Sequence, residues 1–154
     1  MADFEILVIG AGPGGYVAAI RSAQLGFSTA IVERETVGGI CLNWGCIPSK
    51  SLLRNAEVLN LVKDAEKFGI SFDNLSYDFG KAIDRSRQVV RRLTTGVGYL
   101  LKKNNVEHIV GSATFVDAHT IQIGTATGEN RTVSAENIII ATGARQREIP
   151  TLPI

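Results

Sequence analysis

The sequence predicts an α/β domain built on a parallel sheet, and its first third carries the main reasons. A nearly continuous apolar strand, Asp3–Ile9, precedes a glycine-rich turn and a helix, Gly14–Leu25, that ends at Gly26. A second apolar strand, Ser28–Val32, closes with Glu33. Continuous apolar strands are typical of sheets covered on both faces, and a strand–helix–strand unit favours parallel pairing with a right-handed crossover. The 154 residues, 45% of them apolar, are enough for one domain with a buried core.

Two further helices are predicted in the middle of the chain. The segment Thr36–Lys50 contains glycine, proline and both cysteines, and Ser51–Lys67 is predicted to be helical. A longer helix is predicted over Asp78–Asn104, where apolar residues keep approximately helical spacing. Gly96 and Gly98 weaken this helix locally, so we expect a bend or close packing there.

The last third of the chain is predicted to be strand-rich, because the apolar period changes towards two. The predicted strands are Val106–Val110, Ala113–Val116, Thr120–Ile123, Thr132–Val133 and Ile138–Ile140. Turn residues separate several of them. We therefore expect a small antiparallel β-meander added to the parallel sheet, in one domain over residues 1–150. Residues 151–154, with Pro153, are predicted to begin a linker.

The charge and the N-terminus argue against several classes of protein. A net charge of +1 gives no attraction to nucleic acid or to an anionic membrane. The arginines in Arg85–Arg92 are interpreted as a solvated helix face. The N-terminus is acidic, and the apolar run Ile6–Ile9 is too short for a signal core or a membrane span. We expect a soluble cytoplasmic protein, in which thiols are normally kept reduced.

The glycine-rich turn predicts a dinucleotide site. Gly10 permits the tight turn, Gly12 lets a pyrophosphate approach the backbone, and Gly15 lets helix and strand pack closely. The phosphates are expected at the helix N-terminus, where free N–H groups favour an anion. Glu33 is placed to accept hydrogen bonds from ribose hydroxyls. The domain is therefore expected to be Rossmann-like, although this turn alone does not distinguish FAD from NAD.

The two cysteines, Cys41 and Cys46, are close enough in sequence for shared chemistry. A short loop lets such a pair form and break a disulfide, and a following helix N-terminus is expected to lower the thiol pKa. Gly45 gives the backbone freedom that closure needs, and Pro48 fits an early helical position. The spacing alone leaves other interpretations open: buried small hydrophobes, half of a zinc site, or an unrelated oxidation-sensitive pair.

The segment around the cysteines resembles a known family signature. Residues 38–50, GGICLNWGCIPSK, closely resemble the GGxCLNxGCIPSK signature of flavoprotein disulfide reductases, most of all the dihydrolipoamide dehydrogenase type. Trp44 stands where valine is commoner. The resemblance extends from the first strand to Ala141–Ala144, and it implies that the first glycine-rich turn binds FAD.

This resemblance implies a role for each matching residue. Cys46 would be the thiol against the flavin, Cys41 the thiol that exchanges with lipoamide, and Lys50 a cation near the flavin ring. Glu33 would bind the ribose of FAD. The complete set of cofactor-binding residues expected from the glycine turn and the resemblance is Gly10, Gly12, Gly15, Glu33, Arg34, Gly39, Cys41, Lys50, Ala113, Thr142, Gly143 and Ala144.

The resemblance also implies partners and a parent activity. Enzymes of this family are much longer, use NAD in a further domain, form homodimers and exchange electrons with dihydrolipoamide on a lipoyl domain. Neither His108 nor His119 matches the family's acid/base motif, so both are interpreted as solvated or hydrogen-bonded strand residues. The alternatives are a non-catalytic FAD- or nucleotide-binding fragment, and a related mercuric or glutathione-type reductase.

Overall fold

The computed structural model describes residues 2–125 and 128–144. In this part of the chain the strands are β1 (Phe4–Ile9), β2 (Thr29–Glu33), β3 (Glu107–Val110), β4 (Ser112–Phe115), β5 (Thr120–Gly124) and β6 (Asn130–Ile140). The helices are α1 (Pro13–Gln24), α2 (Gly39–Asn43), α3 (Cys46–Lys63) and α4 (Phe79–Lys103), with a 3₁₀ turn at Ala65–Phe68. The predicted linker, 151–154, and the end of the predicted domain, 145–150, lie outside the described residues.

The described strands form one sheet in the order β3-β2-β1-β6-β5-β4. β1 pairs in parallel with β2 and with β6, and β2 pairs in parallel with β3. β5 pairs antiparallel with both β4 and β6. The predicted parallel sheet with an added antiparallel meander is therefore confirmed.

The sequence prediction was wrong for β6, which is one strand and not two. Its first half pairs antiparallel with β5, as far as Ser134 opposite Thr120. Its second half pairs in parallel with β1, beginning with Ala135 opposite Phe4. The polar residues Glu136–Asn137 interrupt the apolar pattern, although backbone pairing continues through them. The spacing of apolar residues along a strand does not show where the strand changes its pairing partner.

The two faces of the parallel sheet are covered by different layers. Leu7 and Val32 pack with Ile121, Ile123 and Val133, so the meander covers one face. On the other face, a second core joins sheet and helices through Val8, Ile31, Ala19, Val97 and Leu101. Burial on both faces explains why the residues of β1 and β2 are almost all apolar.

The long helices follow local signals closely. α1 has proline at its first position, and the Asp78 side chain caps α4 by accepting a hydrogen bond from the N–H of Lys81 at 3.1 Å. Of the predicted bend or close packing at Gly96 and Gly98, the close packing is wrong, because a Cβ at either would meet nothing within 4 Å apart from its own helix. The bend stays a prediction. No helix in the described residues combines the length and apolar character needed to cross a bilayer.

The prediction for α3 was wrong at both ends. This helix begins at Cys46, where the sequence predicted Ser51, and it ends at Lys63 before the 3₁₀ turn. Pro48 lies in its first turn, where a missing N–H removes no intrahelical hydrogen bond. The earlier start makes Cys46 itself a helix N-terminal residue.

Candidate functional site

A groove lies at the carboxyl ends of β1, β2 and β6, the usual place for a ligand in a parallel α/β sheet. It consists of two adjoining cavities of about 420 Å³ and about 390 Å³. Both are lined by Gly10, Glu33, Arg34, Thr142, Gly143 and Ala144. The first cavity extends to Ala113, and the second extends past Gly12 and Gly39 to Cys41 and Cys46. One continuous groove thus brings together all the predicted cofactor-binding residues except Gly15 and Lys50.

Two glycines of the glycine turn, Gly12 and Gly15, have different roles. A Cβ on Gly15 would lie 1.7 Å from the carbonyl oxygen of Gly10, so Gly15 is required for α1 to pack against the end of β1. A Cβ on Gly12 would find only the Cα of Gly39, at 4.0 Å. The fold therefore does not require glycine at position 12, and the bare backbone there lines the groove.

The first turn of α1 is suited to an anion. Gly12 is the N-cap residue, and it supplies no side-chain hydrogen bond to the first-turn N–H groups. The first turn also has no acidic residue. Uncapped N–H groups and the helix dipole favour a negative charge at this point of the groove.

Glu33 has a structural role that the sequence did not reveal. Its carboxylate accepts hydrogen bonds from the backbone N–H of Ala11 at 2.8 Å and of Glu35 at 3.0 Å. These bonds tie the end of β2 to the glycine turn. An ionised carboxylate has about four lone-pair positions, so the predicted hydrogen bonds to a ribose remain possible beside these two.

The cysteine segment is attached directly to the glycine turn. The N–H of Gly38 donates to the carbonyl of Ala11 at 2.7 Å. Gly39 has φ of +56°, and a Cβ there would lie 2.8 Å from the Cα of Gly12. Only glycine permits this approach of the two backbones, which brings the two cysteines to the end of the groove.

The two cysteines lie on different helices. The sequence predicted a loop between them, but Cys41 lies within α2, Cys46 begins α3, and only Trp44 and Gly45 separate the helices. Cys41 is half-buried, Cys46 is exposed, and both thiols are free. A Cβ on Gly45 would lie 3.1 Å from the carbonyl oxygen of Ile40, so glycine lets the chain turn back over α2.

The predicted lowering of the thiol pKa is wrong for Cys41. A hydrogen bond with the Cys46 thiol raises the pKa of Cys41, and partial desolvation raises it further. The backbone N–H of Cys46 and the positive charge of Lys50 act in the opposite direction but do not outweigh these effects. Lys50 is exposed on α3, one turn after Cys46 and outside the residues that line the groove.

We expect Cys46→Ala to lower the pKa of Cys41, because the substitution removes the hydrogen bond that holds the proton on that thiol. The rate of Cys41 alkylation by iodoacetamide, followed site by site with mass spectrometry, should therefore rise at lower pH than in the unsubstituted protein. Cys46→Ser keeps a hydrogen-bonding partner and should shift the profile less. A profile that stays in place, or moves to higher pH, would contradict the assigned cause.

Asn43 and two arginines matter to the site and were not predicted. Asn43 is 9% exposed, and its Nδ2 donates to the carbonyls of Val37 at 3.1 Å and Gly39 at 2.9 Å. The position of Asn43, a polar residue beside the apolar Leu42 and between the two cysteines, is the sequence signal that could have indicated its structural role. The arginines Arg85 and Arg87 are exposed as predicted, but Arg87 also donates a hydrogen bond to the carbonyl of Asn43 in α2, and Arg85 donates one to Ser51 Oγ in α3.

The histidines lie away from the cysteines. His119 makes the expected hydrogen bond, from Nδ1 to the carbonyl of Ala135 at 3.0 Å. His108 lies on β3, where partial desolvation lowers its pKa although Glu33 acts to raise it. Residues 2–125 and 128–144 contain no group of three or more His, Cys, Asp or Glu side chains placed to hold a metal ion.

Comparison with known proteins gives one consistent result. Residues 4–153 match the model of the family described as pyridine nucleotide-disulphide oxidoreductase. The chain is 52% identical over 151 residues to the dihydrolipoyl dehydrogenase of Mycobacterium bovis, covering 97% of this chain and 32% of that protein. The corresponding enzyme of Zymomonas mobilis is 51% identical over 153 residues, covering 99% and 33%, and that of Chlorobaculum tepidum is 48% identical over 151 residues, covering 98% and 32%. The chain thus spans about a third of the length of these relatives.

Proposed function

Because the chain belongs to the pyridine nucleotide-disulphide oxidoreductase family, we propose that it is the FAD-binding, thiol-bearing part of a dihydrolipoyl dehydrogenase. One observation carries this proposal. A single groove is lined by the glycine turn, by Glu33 and by both cysteines. A dinucleotide lying in that groove would have one end near Ala113 and the other at the thiol pair.

The residues present fit FAD. The bare backbone of Gly12 and the uncapped N-terminus of α1 would hold the pyrophosphate. Glu33 would accept hydrogen bonds from the adenosine ribose, with Ala113 at the adenine end. Gly39, Arg34 and the Thr142–Ala144 segment would line the remaining length of the cofactor. Bound there, FAD supplies a two-electron acceptor for the reduced thiol pair.

The thiol pair would carry out exchange with a dithiol substrate. In the oxidised protein, a substrate thiolate attacks the Cys41 sulfur, and the bond between Cys41 and Cys46 breaks, leaving Cys46 as thiolate. The second substrate thiol then attacks the mixed disulfide, so the substrate leaves as a cyclic disulfide and Cys41 is released as a thiol. Two electrons and the accompanying protons have moved from the substrate to the pair. Lys50, one turn after Cys46, favours the Cys41 thiolate by its charge.

The remaining features of the function are proposed from the family resemblance of the sequence and from the relatives together. We propose dihydrolipoamide on a lipoyl domain as the dithiol substrate, NAD as the final acceptor, a homodimeric parent enzyme and a cytoplasmic location. The dihydrolipoyl dehydrogenases cited above support the substrate. The family description supports the pyridine nucleotide.

FAD is expected to bind the chain more tightly than FMN, because the ADP half is held by the glycine turn and Glu33. Trp44, the single tryptophan, lies in the groove beside the cysteines, so its emission should be quenched as flavin binds. We further expect Gly12→Ala to weaken FAD binding at least about tenfold, equivalent to about 1.4 kcal/mol, because the methyl group would occupy the phosphate position.

The Gly12→Ala protein should keep its stability, since a Cβ there has no contact closer than 4.0 Å. Riboflavin binding is the matched control, because riboflavin carries no phosphate and should be little affected by the substitution. Equal affinities for FAD and FMN, or unchanged FAD affinity in Gly12→Ala, would rule out this placement of the cofactor.

A further inference from the structure

The distance between the two cysteine thiols depends on the relative position of two helices. Cys41 belongs to α2 and Cys46 to α3, and a disulfide requires the Cβ atoms to lie about 3.5–4.5 Å apart. Both cysteines line the same end of the groove. The turn at Trp44 and Gly45 brings the chain back towards Cys41, since a Cβ on Gly45 would lie 3.4 Å from the Cα of Cys41. Contacts from α4 act on both helices in addition to this turn.

Three consecutive residues of α4 contact both helices, and we call them the α4 clamp. The Oγ of Ser86 donates to the carbonyl of Pro48 in α3 at 3.4 Å. The other two contacts join Arg85 Nη1 to Ser51 Oγ in α3 at 2.9 Å, and Arg87 Nη1 to the carbonyl of Asn43, the last residue of α2, at 3.4 Å. One rigid helix thus holds the end of α2 and the start of α3.

Buried polar groups are concentrated at this junction. In the described part of the chain four polar side chains are buried, and three of them are Asn43 (9% exposed), Ser51 (7%) and Ser86 (2%). Burial of a polar group costs free energy unless it is hydrogen-bonded, and apolar residues would fill the same space without that cost. Directional hydrogen bonds fix one geometry, which apolar contacts do not.

We propose that the α4 clamp, Arg85 to Arg87, positions the Cys41–Cys46 pair by holding α2 and α3 at the separation at which the two thiols meet. The clamp raises the effective concentration of each thiol at the other, so the disulfide forms more readily and is harder to reduce. This proposal deepens the proposed function and rests on it only in taking the pair to be redox-active.

The test is the equilibrium between the FAD-free 154-residue chain and glutathione. The two protein thiols and one oxidised glutathione give one protein disulfide and two reduced glutathiones, by way of a mixed disulfide. The fraction of protein disulfide is measured by alkylation and mass spectrometry at several glutathione ratios. We expect Arg87→Met and Ser86→Ala each to lower the equilibrium constant about tenfold, which is about 30 mV for a two-electron couple.

Controls on the same helix separate positioning from general stability. Arg91→Met removes an exposed arginine of α4 outside the clamp and should leave the equilibrium unchanged. Arg87→Lys keeps a donor and should recover part of the loss. Since Ser86 is buried, its variant can lose stability; Arg87 is exposed, so Arg87→Met carries the test alone if Ser86→Ala does not fold.

The outcomes distinguish this proposal from the proposed function. A wild-type disulfide whose equilibrium constant is the same in both clamp variants overturns the clamp and leaves the redox pair intact. An equal fall in Arg91→Met also overturns it. A wild-type chain that forms only mixed disulfides with glutathione, and no internal disulfide, overturns the redox role of the pair and the clamp with it.

Discussion

Gly15→Ala is expected to unfold the domain or to destabilise it by about 3 kcal/mol or more. The new Cβ would lie 1.7 Å from the carbonyl oxygen of Gly10 and 3.4 Å from the Cβ of Ala141. The clash is with backbone at the end of β1, so no side-chain rotation relieves it. The loss of stability should appear as a lower midpoint of urea denaturation, monitored by far-ultraviolet circular dichroism.

Gly14→Ala is the matched control, one residue earlier in the same helix. A Cβ on Gly14 would meet no described atom within 4 Å. Because alanine favours the helix, this variant should lie within about 1 kcal/mol of the unsubstituted protein, on the stabilising side. Similar midpoints for the two variants would mean that α1 does not pack against Gly10 as closely as described.

Cys46→Ser is expected to abolish the long-wavelength absorbance of a thiolate in contact with flavin, while leaving FAD bound. Cys46 is exposed and lines the groove at the end where the flavin ring is proposed to lie. Cys41→Ser should keep the band, because it leaves the Cys46 thiol unable to form the internal disulfide. The measurement is the visible spectrum of the FAD-loaded protein after reduction and controlled reoxidation.

The same pair of variants tests the assignment of the two thiols. If Cys41→Ser lost the band and Cys46→Ser retained it, the roles would be reversed. The retained FAD in each variant, measured after desalting, shows that a missing band does not come from a missing cofactor.

The elements that sequence predicts well are those whose causes are local. The first strand, the first helix and the second strand follow from apolar period, proline and glycine positions, and the structure agrees within about one residue. The early helical position of Pro48 was predicted, but the start of α3 at Cys46 was missed, because residues 36–50 show no helical apolar spacing. The continuity of β6 was missed because it depends on two partner strands that are distant in sequence.

In the candidate site, too, features with local causes were predicted from the sequence, and features that depend on distant residues were not. Ten of the twelve cofactor-binding residues expected from the glycine turn and the family resemblance line the groove. The hydrogen bond from the Ala11 N–H to the Glu33 carboxylate and the hydrogen bond from Arg85 to Ser51 join residues far apart in the chain. Local sequence patterns do not predict contacts between residues that are distant in the chain. The pKa of Cys41 was misjudged for a related reason, since it depends on the orientation of the neighbouring thiol.

The pairing of β1 with β6 also has a consequence for biosynthesis. β1 and β2 are made early, but the second edge of β1 has no partner until β6 leaves the ribosome. At about 5–20 residues per second, the roughly 100 residues between β2 and β6 take about 5–20 s to translate. During that interval an apolar strand edge is open to pairing with other chains. The nascent chain is therefore expected to need a holdase chaperone until β6 is in place.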